Sequence, residues 1–134
     1  MMKVSIITIS FNAENTIEKT LMSIESQLYD NIEHIIVDGE SQDNTLEICN
    51  SFPHIAKIIS EPDKGVYDAF NKGIKLATGD IIGFLNADDT FYDENSILEI
   101  VNAFQKKHID IIFGNLDYVN KEGKIIRNWI SKSY

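Results

Sequence analysis

The sequence predicts an α/β fold with a mostly parallel sheet, and three observations support this. Strand-like and helix-like segments alternate, the strand-like segments are apolar on both faces, and many acidic residues follow those segments directly. Strands that are apolar on both faces are typical of a parallel sheet covered by helices on each side. With 134 residues, 43% of them hydrophobic, the chain suits a single domain over 1–134.

The first half of the chain contains three strand-like runs separated by two helical patterns. Residues 4–10 form a β-branched run that predicts the first strand. Asn15, with Glu18 three residues later, resembles a capping box, and apolar residues follow at helical spacing from position 17 to position 28. Residues 32–37 predict a second strand ending at Asp38, residues 43–51 a short helix, and residues 55–59 a third strand.

The second half continues the alternation and ends in a hairpin. Apolar residues at positions 66, 70, 74 and 77 predict a helix, and residues 80–85 predict a fourth strand that leads into Asn86-Ala87-Asp88-Asp89. Residues 97–104 predict another helix and residues 109–113 a fifth strand. Residues 116–119 and 125–129 flank Lys121-Glu122-Gly123, which predicts a β-hairpin.

Nine of the 21 acidic residues follow three of the predicted strands, and we call these nine the acidic edge. Ligands of parallel α/β sheets bind outside the carboxyl ends of the strands, where these residues are expected to meet. Clustered carboxylates repel one another, and a divalent cation with oxygen ligands would offset that repulsion. Asp88-Asp89 is the best candidate pair, although Asp89 or Asp93 could instead cap the next helix. The acidic edge comprises Asp38, Glu40, Asp43, Glu61, Asp63, Asp88, Asp89, Asp93 and Glu94.

Composition and missing motifs exclude several functions. A net charge of −9 argues against nucleic-acid binding, and neither a G-x-G-x-x-G nor a P-loop motif is present. Asn86 to Thr90 resembles a phosphatase D-x-D-x-T loop, but an amide replaces the nucleophilic carboxylate. The single cysteine, Cys49, is expected to be an apolar helix residue rather than a nucleophile. The N-terminal apolar run is too short for a signal or a membrane span, which predicts a cytoplasmic chain.

Four segments together resemble family 2 glycosyltransferases of the GT-A fold, in the same order and spacing. They are VSIITISFN, SIESQ, HIIVDGESQDNT and EPDKGVYDAFNKGIKLATGDIIGFLNADD, of which the last is the most specific. The resemblance covers the N-terminal, nucleotide-binding part of such enzymes and is nearest to a subgroup that builds bacterial surface polysaccharides of the colanic-acid type. It implies a Rossmann-like, three-layer α/β/α domain that binds a nucleotide-diphosphate sugar.

The resemblance also implies roles for individual residues. Ser10, Phe11 and Asn12 would cup the nucleotide base, with Phe11 at a position usually held by tyrosine. Asp38 would hydrogen-bond the base, commonly uracil, while Gly39 replaces a second acid of the family pattern. In such enzymes one segment approaches the diphosphate or sugar, and here it contains Lys64, Asn71 and Lys72. Alternatively, these three are ordinary helix-surface residues. Asp68 is either a sugar contact or a solvated helix acid.

The metal motif of the family corresponds to Asn86-Ala87-Asp88. Asp88 would lie by the ribose or sugar, and Asp88 or Asp89 would ligate Mg²⁺ or Mn²⁺. The implied reaction is transfer, with inversion, from a UDP-sugar to a saccharide or lipid-linked acceptor, which could bring the chain to the inner membrane face. Asp110, Asp117 and Glu122 follow no recognisable base motif, so no general base is assigned.

Three functional hypotheses remain open. The first is a hexosyltransferase-type enzyme whose acceptor half is missing or is supplied by an oligomer. The second is a noncatalytic nucleotide-sugar-binding module or remnant. The third is a magnesium phosphatase, which would tolerate Asp38→Ala. A missing half would leave an apolar surface exposed near Trp129 and Ile130, whereas an ordinary core position would bury Trp129.

Overall fold

A computed structural model describes residues 1–106 and 108–132. It divides into two compact units, the first spanning Met1–Val101 and the second beginning at Asn102, within the fourth helix. The elements in chain order are β1 Val4–Ser10, α1 Ile17–Glu25, β2 Ile32–Asp38, α2 Thr45–Asn50, β3 Ile55–Ser60, α3 Val66–Leu76, β4 Ile81–Phe84, α4 Ser96–Lys106, β5 Leu116–Val119 and β6 Ile125–Trp129.

The first unit is built on a parallel four-stranded sheet in the order β3-β2-β1-β4. In this register Ser10 lies beside Asp38, and Asp38 lies beside Ser60, so three strands end level with one another. The chain adds β2 and β3 on one side of β1 and β4 on the other. The order of strand addition therefore reverses between β1 and β4, which is where ligands of open α/β sheets bind.

Two apolar layers cover the two faces of the sheet, as the doubly apolar strands predicted. On one face Ile36 packs with Ile17 and Leu21 of α1 and with Cys49 of α2. On the other face Ile7, Ile35 and Val37 pack with Ala69 of α3. Alternate residues of β2 thus enter opposite layers, and the three-layer α/β/α arrangement follows.

The second unit contains the antiparallel hairpin β5-β6, with the bounds expected from the sequence. Asn120 closes the turn, since its backbone amide donates to the Lys124 carbonyl and its Oδ1 accepts from the amides of Glu122 and Lys124. The hairpin side chains are exposed, and Trp129 is 43% accessible. Of the two alternatives for Trp129, the buried core position is therefore wrong, and the side chain is exposed.

Two local predictions differ from the structure. Residues 109–113 form no strand: the segment has no ladder partner among the described residues, and Ile111 is 77% exposed. The Asn15 cap is also absent, because residues 13–16 form a turn in which the Ala13 carbonyl accepts from the amides of Thr16 and Ile17. Helix α1 consequently begins at Ile17, after an N-cap at Thr16 that makes no side-chain capping bond.

Candidate functional site

A cleft of about 610 Å³ opens at the carboxyl ends of β1 and β4, within the first unit. Its walls come from the β1–α1 loop, the start of α3 and the segment that follows β4. The residues that line it are Ile9, Ser10, Phe11, Asn12, Ala13, Thr16, Asp63, Gly65, Val66, Ala69, Asn86, Ala87 and Asp88. Four of the residues predicted to bind the nucleotide sugar, Ser10, Phe11, Asn12 and Asp88, therefore share one cavity.

The β1–α1 loop presents an aromatic face to this cleft on a backbone held from the neighbouring loop. Phe11 is 65% exposed, unusually accessible for a phenylalanine. Asn12 has a φ of 47°, a left-handed conformation that asparagine tolerates better than most residues. Its backbone amide donates to Ser41 Oγ at 2.8 Å, and its Oδ1 accepts from the Gln42 amide at 2.9 Å.

Asp38 lies behind the cleft rather than in its wall. Its side chain is fully buried, and its carboxylate accepts from three serines that lie around the end of β2. Ser10 Oγ and Ser41 Oγ donate to Oδ1 at 2.9 and 2.5 Å, while the Ser41 amide and Ser60 Oγ donate to Oδ2 at 2.8 Å each. The carboxylate thus ties together the ends of β1, β2 and β3.

Asp88 and Asp89 follow β4 and are both exposed, with Asp88 at the cleft wall. Partial burial and then the negative charge of Asp88 raise the pKa of the Asp89 carboxyl. Two adjacent carboxylates and the nearby Asn86 amide provide the oxygen ligands that hard divalent cations prefer. These residues therefore fit Mg²⁺ or Mn²⁺. Within 1–106 and 108–132, no group of three or more His, Cys, Asp or Glu side chains could hold a metal ion.

The predicted diphosphate-binding residues Lys64, Asn71 and Lys72 do not line the cleft. Lys72 Nζ lies 3.1 Å from Glu61 Oε1 and 3.4 Å from Asp68 Oδ2, and it donates to the Pro62 carbonyl at 2.8 Å. Burial alone would lower the pKa of Lys72, but hydrogen bonds to Glu61 and Asp68 raise it overall. Lys72 is thus a charged anchor between the β3–α3 loop and α3.

Gly39 brings the β3–α3 loop close to the end of β2. A Cβ atom at this position would lie 2.8 Å from Asp63 Oδ2 and 3.5 Å from the Phe11 ring. The Asp63 carboxylate therefore occupies the space that a side chain at position 39 would need. Asp63 was grouped with the acidic edge but was not predicted as a site residue, because its proximity to Phe11 depends on a contact between separate loops.

Two alternative roles from the sequence analysis are resolved by the structure. Asp93 carries the helix-start interactions, accepting at Oδ1 from the Asn95 amide at 2.9 Å and from Ser96 Oγ at 3.2 Å. Cys49 is fully buried in the core, and burial, with the charge of Asp38, raises the pKa of its thiol to about 11. Cys49 is therefore an apolar core residue, as predicted.

The fold and this cleft define an α/β protein with an acidic, aromatic-lined pocket at the reversal point of a parallel sheet. Comparison with known proteins gives the family: residues 5–131 match the model "Glycosyl transferase family 2". An uncharacterized glycosyltransferase of Mycobacterium tuberculosis is 41% identical over 106 residues, covering 78% of this chain and 40% of the relative. The chain belongs to glycosyl transferase family 2.

Solved structures agree with the GT-A fold. Staphylococcus aureus TarS 1-349, in complex with UDP-GlcNAc, superposes with a TM-score of 0.75 at 24% identity, covering 80% of this chain and 32% of that one. The mannosyltransferase PcManGT of Pyrobaculum calidifontis, in complex with GDP-Man and Mn²⁺, gives 0.71 at 25% identity, covering 90% and 36%. The chain spans less than half the length of these proteins. No helix in its described part is long and apolar enough to cross a membrane.

Proposed function

We propose that this chain binds the donor for a glycosyltransferase that moves a sugar from a nucleotide-diphosphate sugar, with UDP-sugars favoured, to an acceptor hydroxyl. The observation that carries the proposal is the cleft between β1 and β4, which places Phe11 on one wall and Asp88 on another. The exposed ring of Phe11 can stack on a nucleotide base. The carboxylates of Asp88 and the neighbouring Asp89 can bind a divalent cation that also binds a diphosphate.

The proposal gives each predicted residue a task, and the residues that line the cleft, Ser10, Phe11, Asn12 and Asp88, support it directly. Phe11 stacks on the base, while Ser10 and Asn12 contact the nucleoside from the same loop. Asp38 contacts the base by exchanging one of its serine hydrogen bonds. Asp88 binds the ribose or sugar. Lys64 in the β3–α3 loop and Asn71 and Lys72 on α3 would approach the diphosphate or sugar from outside the cleft.

Asp88 and Asp89 would hold Mg²⁺ or Mn²⁺ together with diphosphate oxygens and water. A bound divalent ion neutralises the charge that develops on the diphosphate leaving group. Mg²⁺ commonly takes one or two carboxylates plus substrate phosphates, so a site with few protein ligands fits this use. The raised pKa of Asp89 indicates that a positive partner would stabilise its ionised form.

We further propose that the transfer inverts the anomeric centre and that the acceptor is a saccharide or a lipid-linked sugar in bacterial surface polysaccharide synthesis. An inverting transfer needs a base that removes the acceptor proton. Asp117 and Glu122 lie on the exposed hairpin and are assigned no such role. The acceptor side is proposed to come from a C-terminal half or from an oligomeric partner.

The test is calorimetric titration of UDP and GDP into the 134-residue chain, with and without Mn²⁺ or Mg²⁺. We expect the metal to strengthen UDP binding roughly tenfold, which corresponds to about 1.4 kcal/mol. Asp88→Asn and Asp89→Asn should remove this gain. Glu94→Gln, which neutralises an exposed acid in the same loop, should keep it.

Other outcomes separate the alternatives. UDP binding that is unaffected by the metal and by both Asp variants would contradict the metal site. Metal-dependent binding without sugar transfer, even with an acceptor mixture, would favour the noncatalytic module. Release of inorganic phosphate from a phosphorylated substrate, with Asp38→Ala still active, would favour the phosphatase.

A further inference from the structure

Three polar side chains along one face of α1 and its C-terminal extension contact the segment that follows the Asp88-Asp89 pair. Thr20, among the apolar residues of α1, is fully buried, and Gln27, two residues after the helix, is nearly so. Thr20 and Ser23 are three residues apart on α1 and so lie on one face, and Gln27 is held beside them because its Nε2 donates to the Ser23 carbonyl at 3.0 Å. Buried polar groups on an apolar face need hydrogen-bond partners, and these find theirs in segment 89–97.

The first contact is made directly to the proposed metal ligand. Thr20 Oγ1 donates to the backbone carbonyl oxygen of Asp89 at 2.7 Å. Because Asp89 lies outside β4, this hydrogen bond fixes the backbone from which its carboxylate projects. Ser23 Oγ accepts from the Phe91 amide at 3.3 Å, which holds the backbone two residues further along.

Gln27 makes the second attachment, at the far end of the segment. Its Nε2 donates to the Asp93 carbonyl at 2.7 Å, and its Oε1 accepts from the Ile97 amide at 3.0 Å. The Leu28 amide adds a bond to the Glu94 carbonyl at 2.9 Å. Segment 89–97 is therefore bound along its length to α1 and the residues just after it, and not only through its own turn.

We infer that Thr20, Ser23 and Gln27 are positioning residues for the metal-binding carboxylates, an inference that rests on the proposed function. They act through the backbone of segment 89–97 and touch neither metal nor donor. Groups that orient metal ligands from behind commonly change metal affinity when they are removed. The SIESQ segment, which carries Ser23 and Gln27, thus acquires a physical role: it holds the backbone from Phe91 to Ile97, just after the Asp88-Asp89 pair.

The first experiment measures amide hydrogen exchange and needs no ligand. Thr20→Val keeps the side-chain shape and removes the hydroxyl, and Gln27→Met removes both attachments of Gln27. We expect faster exchange across segment 89–97 in both variants. Ile35→Val, a core change on the opposite face of the sheet, should lower the melting temperature without this local effect.

The second experiment measures how strongly Mn²⁺ binds in the presence of UDP. We expect about tenfold weaker Mn²⁺ binding for Thr20→Val and Gln27→Met. Thr20→Ser, which restores the hydroxyl, should recover wild-type affinity, whereas a merely structural loss would follow the melting temperature. If Thr20→Val fails to fold, Ser23→Ala removes a half-buried contact and gives the same two measurements.

The results distinguish this inference from the function on which it rests. Wild-type Mn²⁺ affinity in Thr20→Val and Gln27→Met, with segment exchange like that of Ile35→Val, would overturn the positioning role alone. A wild-type chain without Mn²⁺-dependent UDP binding would overturn both the proposed function and the role toward the metal. Weaker Mn²⁺ binding that Thr20→Ser restores would support the inference.

Discussion

Acidification from pH 7 to pH 5 is expected to destabilise this fold through the buried side chain of His34. His34 is fully buried on β2, with Nε2 2.9 Å from Thr8 Oγ1 and Nδ1 3.0 Å from His54 Nε2. Burial, followed by the proximity of His54, lowers the pKa of His34 from 6.5 to about 3. The folded protein therefore holds this ring neutral at pH values where an exposed histidine takes up a proton.

The size of the effect follows from proton linkage. Below pH 6.5 the unfolded chain binds a proton at His34, whereas the folded chain does not do so until the pH approaches 3. The contribution of His34 to stability is therefore fully present above its pKa in the unfolded chain, and it is lost as the pH falls toward its pKa in the folded chain. The free energy of unfolding decreases by about 1.4 kcal/mol per pH unit in this window, so pH 5 costs about 2 kcal/mol.

The assay is urea unfolding at pH 7 and pH 5 for the wild type, His34→Gln and His108→Gln. The last variant removes an exposed histidine and serves as the control. We expect the wild type and His108→Gln to lose about 2 kcal/mol more than His34→Gln between the two pH values. An equal loss in all three proteins would refute the assignment of this pH dependence to His34.

Three further predictions concern other buried or crowded groups. Burial alone would raise the pKa of Glu33, but hydrogen bonds led by the one from Ser5 lower it well below 4.5. Glu33→Gln should therefore lower the free energy of unfolding by about 2 kcal/mol at pH 7. In urea unfolding, this difference from the wild type should shrink as the pH falls below 4.5, because the folded state then loses the advantage of binding the ionised carboxylate. Gly39→Ala should weaken UDP binding roughly tenfold in calorimetry by displacing Asp63, whereas Gly114→Ala, with open space around it, should not. Cys49 should resist thiol reagents at pH 8 until the chain unfolds, because its pKa is about 11; rapid reaction of the folded chain would contradict this.

The strands of the first unit could be predicted because their burial leaves a clear pattern. Five of the seven residues 4–10 are β-branched, on both faces of the strand, and such a run is typical of a parallel strand covered on both faces. Residues 109–113 carry a similar apolar pattern, but a strand also needs a hydrogen-bonded neighbour, and that requirement is not written in the segment itself. Asn15 is a similar case, because its sequence pattern predicted a helix cap but the chain instead forms a turn around the Ala13 carbonyl.

The candidate site could be placed but not resolved from the sequence. The rule that ligands bind beyond the carboxyl ends of parallel strands predicted the edge at which the cleft opens, and Ser10 to Asn12 and Asp88 share that cleft. Contacts between loops distant in the chain could not be predicted. Asp63 lies next to Gly39 although 24 positions separate them in the sequence, and Thr20 contacts Asp89 although 69 positions separate them. Neither pair forms a local sequence motif.

The acidic edge shows why the charge pattern alone overstated the repulsion at this site. The Asp38 carboxylate accepts hydrogen bonds from three serines, Asp43 accepts from the Thr45 and Glu14 amides, and Glu61 pairs with Lys72. Local hydrogen bonds and one ion pair therefore balance these acids without any bound cation. Such contacts depend on the folded loops, which a list of acidic positions cannot reveal.

Among the described residues, few carboxylates remain at the cleft without a partner of their own. In the proposed site, the binding of the cation and the binding of the nucleotide therefore depend on each other. A site that offers Asp88 and Asp89 needs further oxygens to complete the coordination of Mg²⁺ or Mn²⁺, and a diphosphate is the natural source. Each ligand then supplies part of the other's binding site. Because binding free energies couple reciprocally, the factor by which Mn²⁺ strengthens UDP binding must equal the factor by which UDP strengthens Mn²⁺ binding. In this proposal, the small number of protein carboxylates is what makes the metal site depend on the donor.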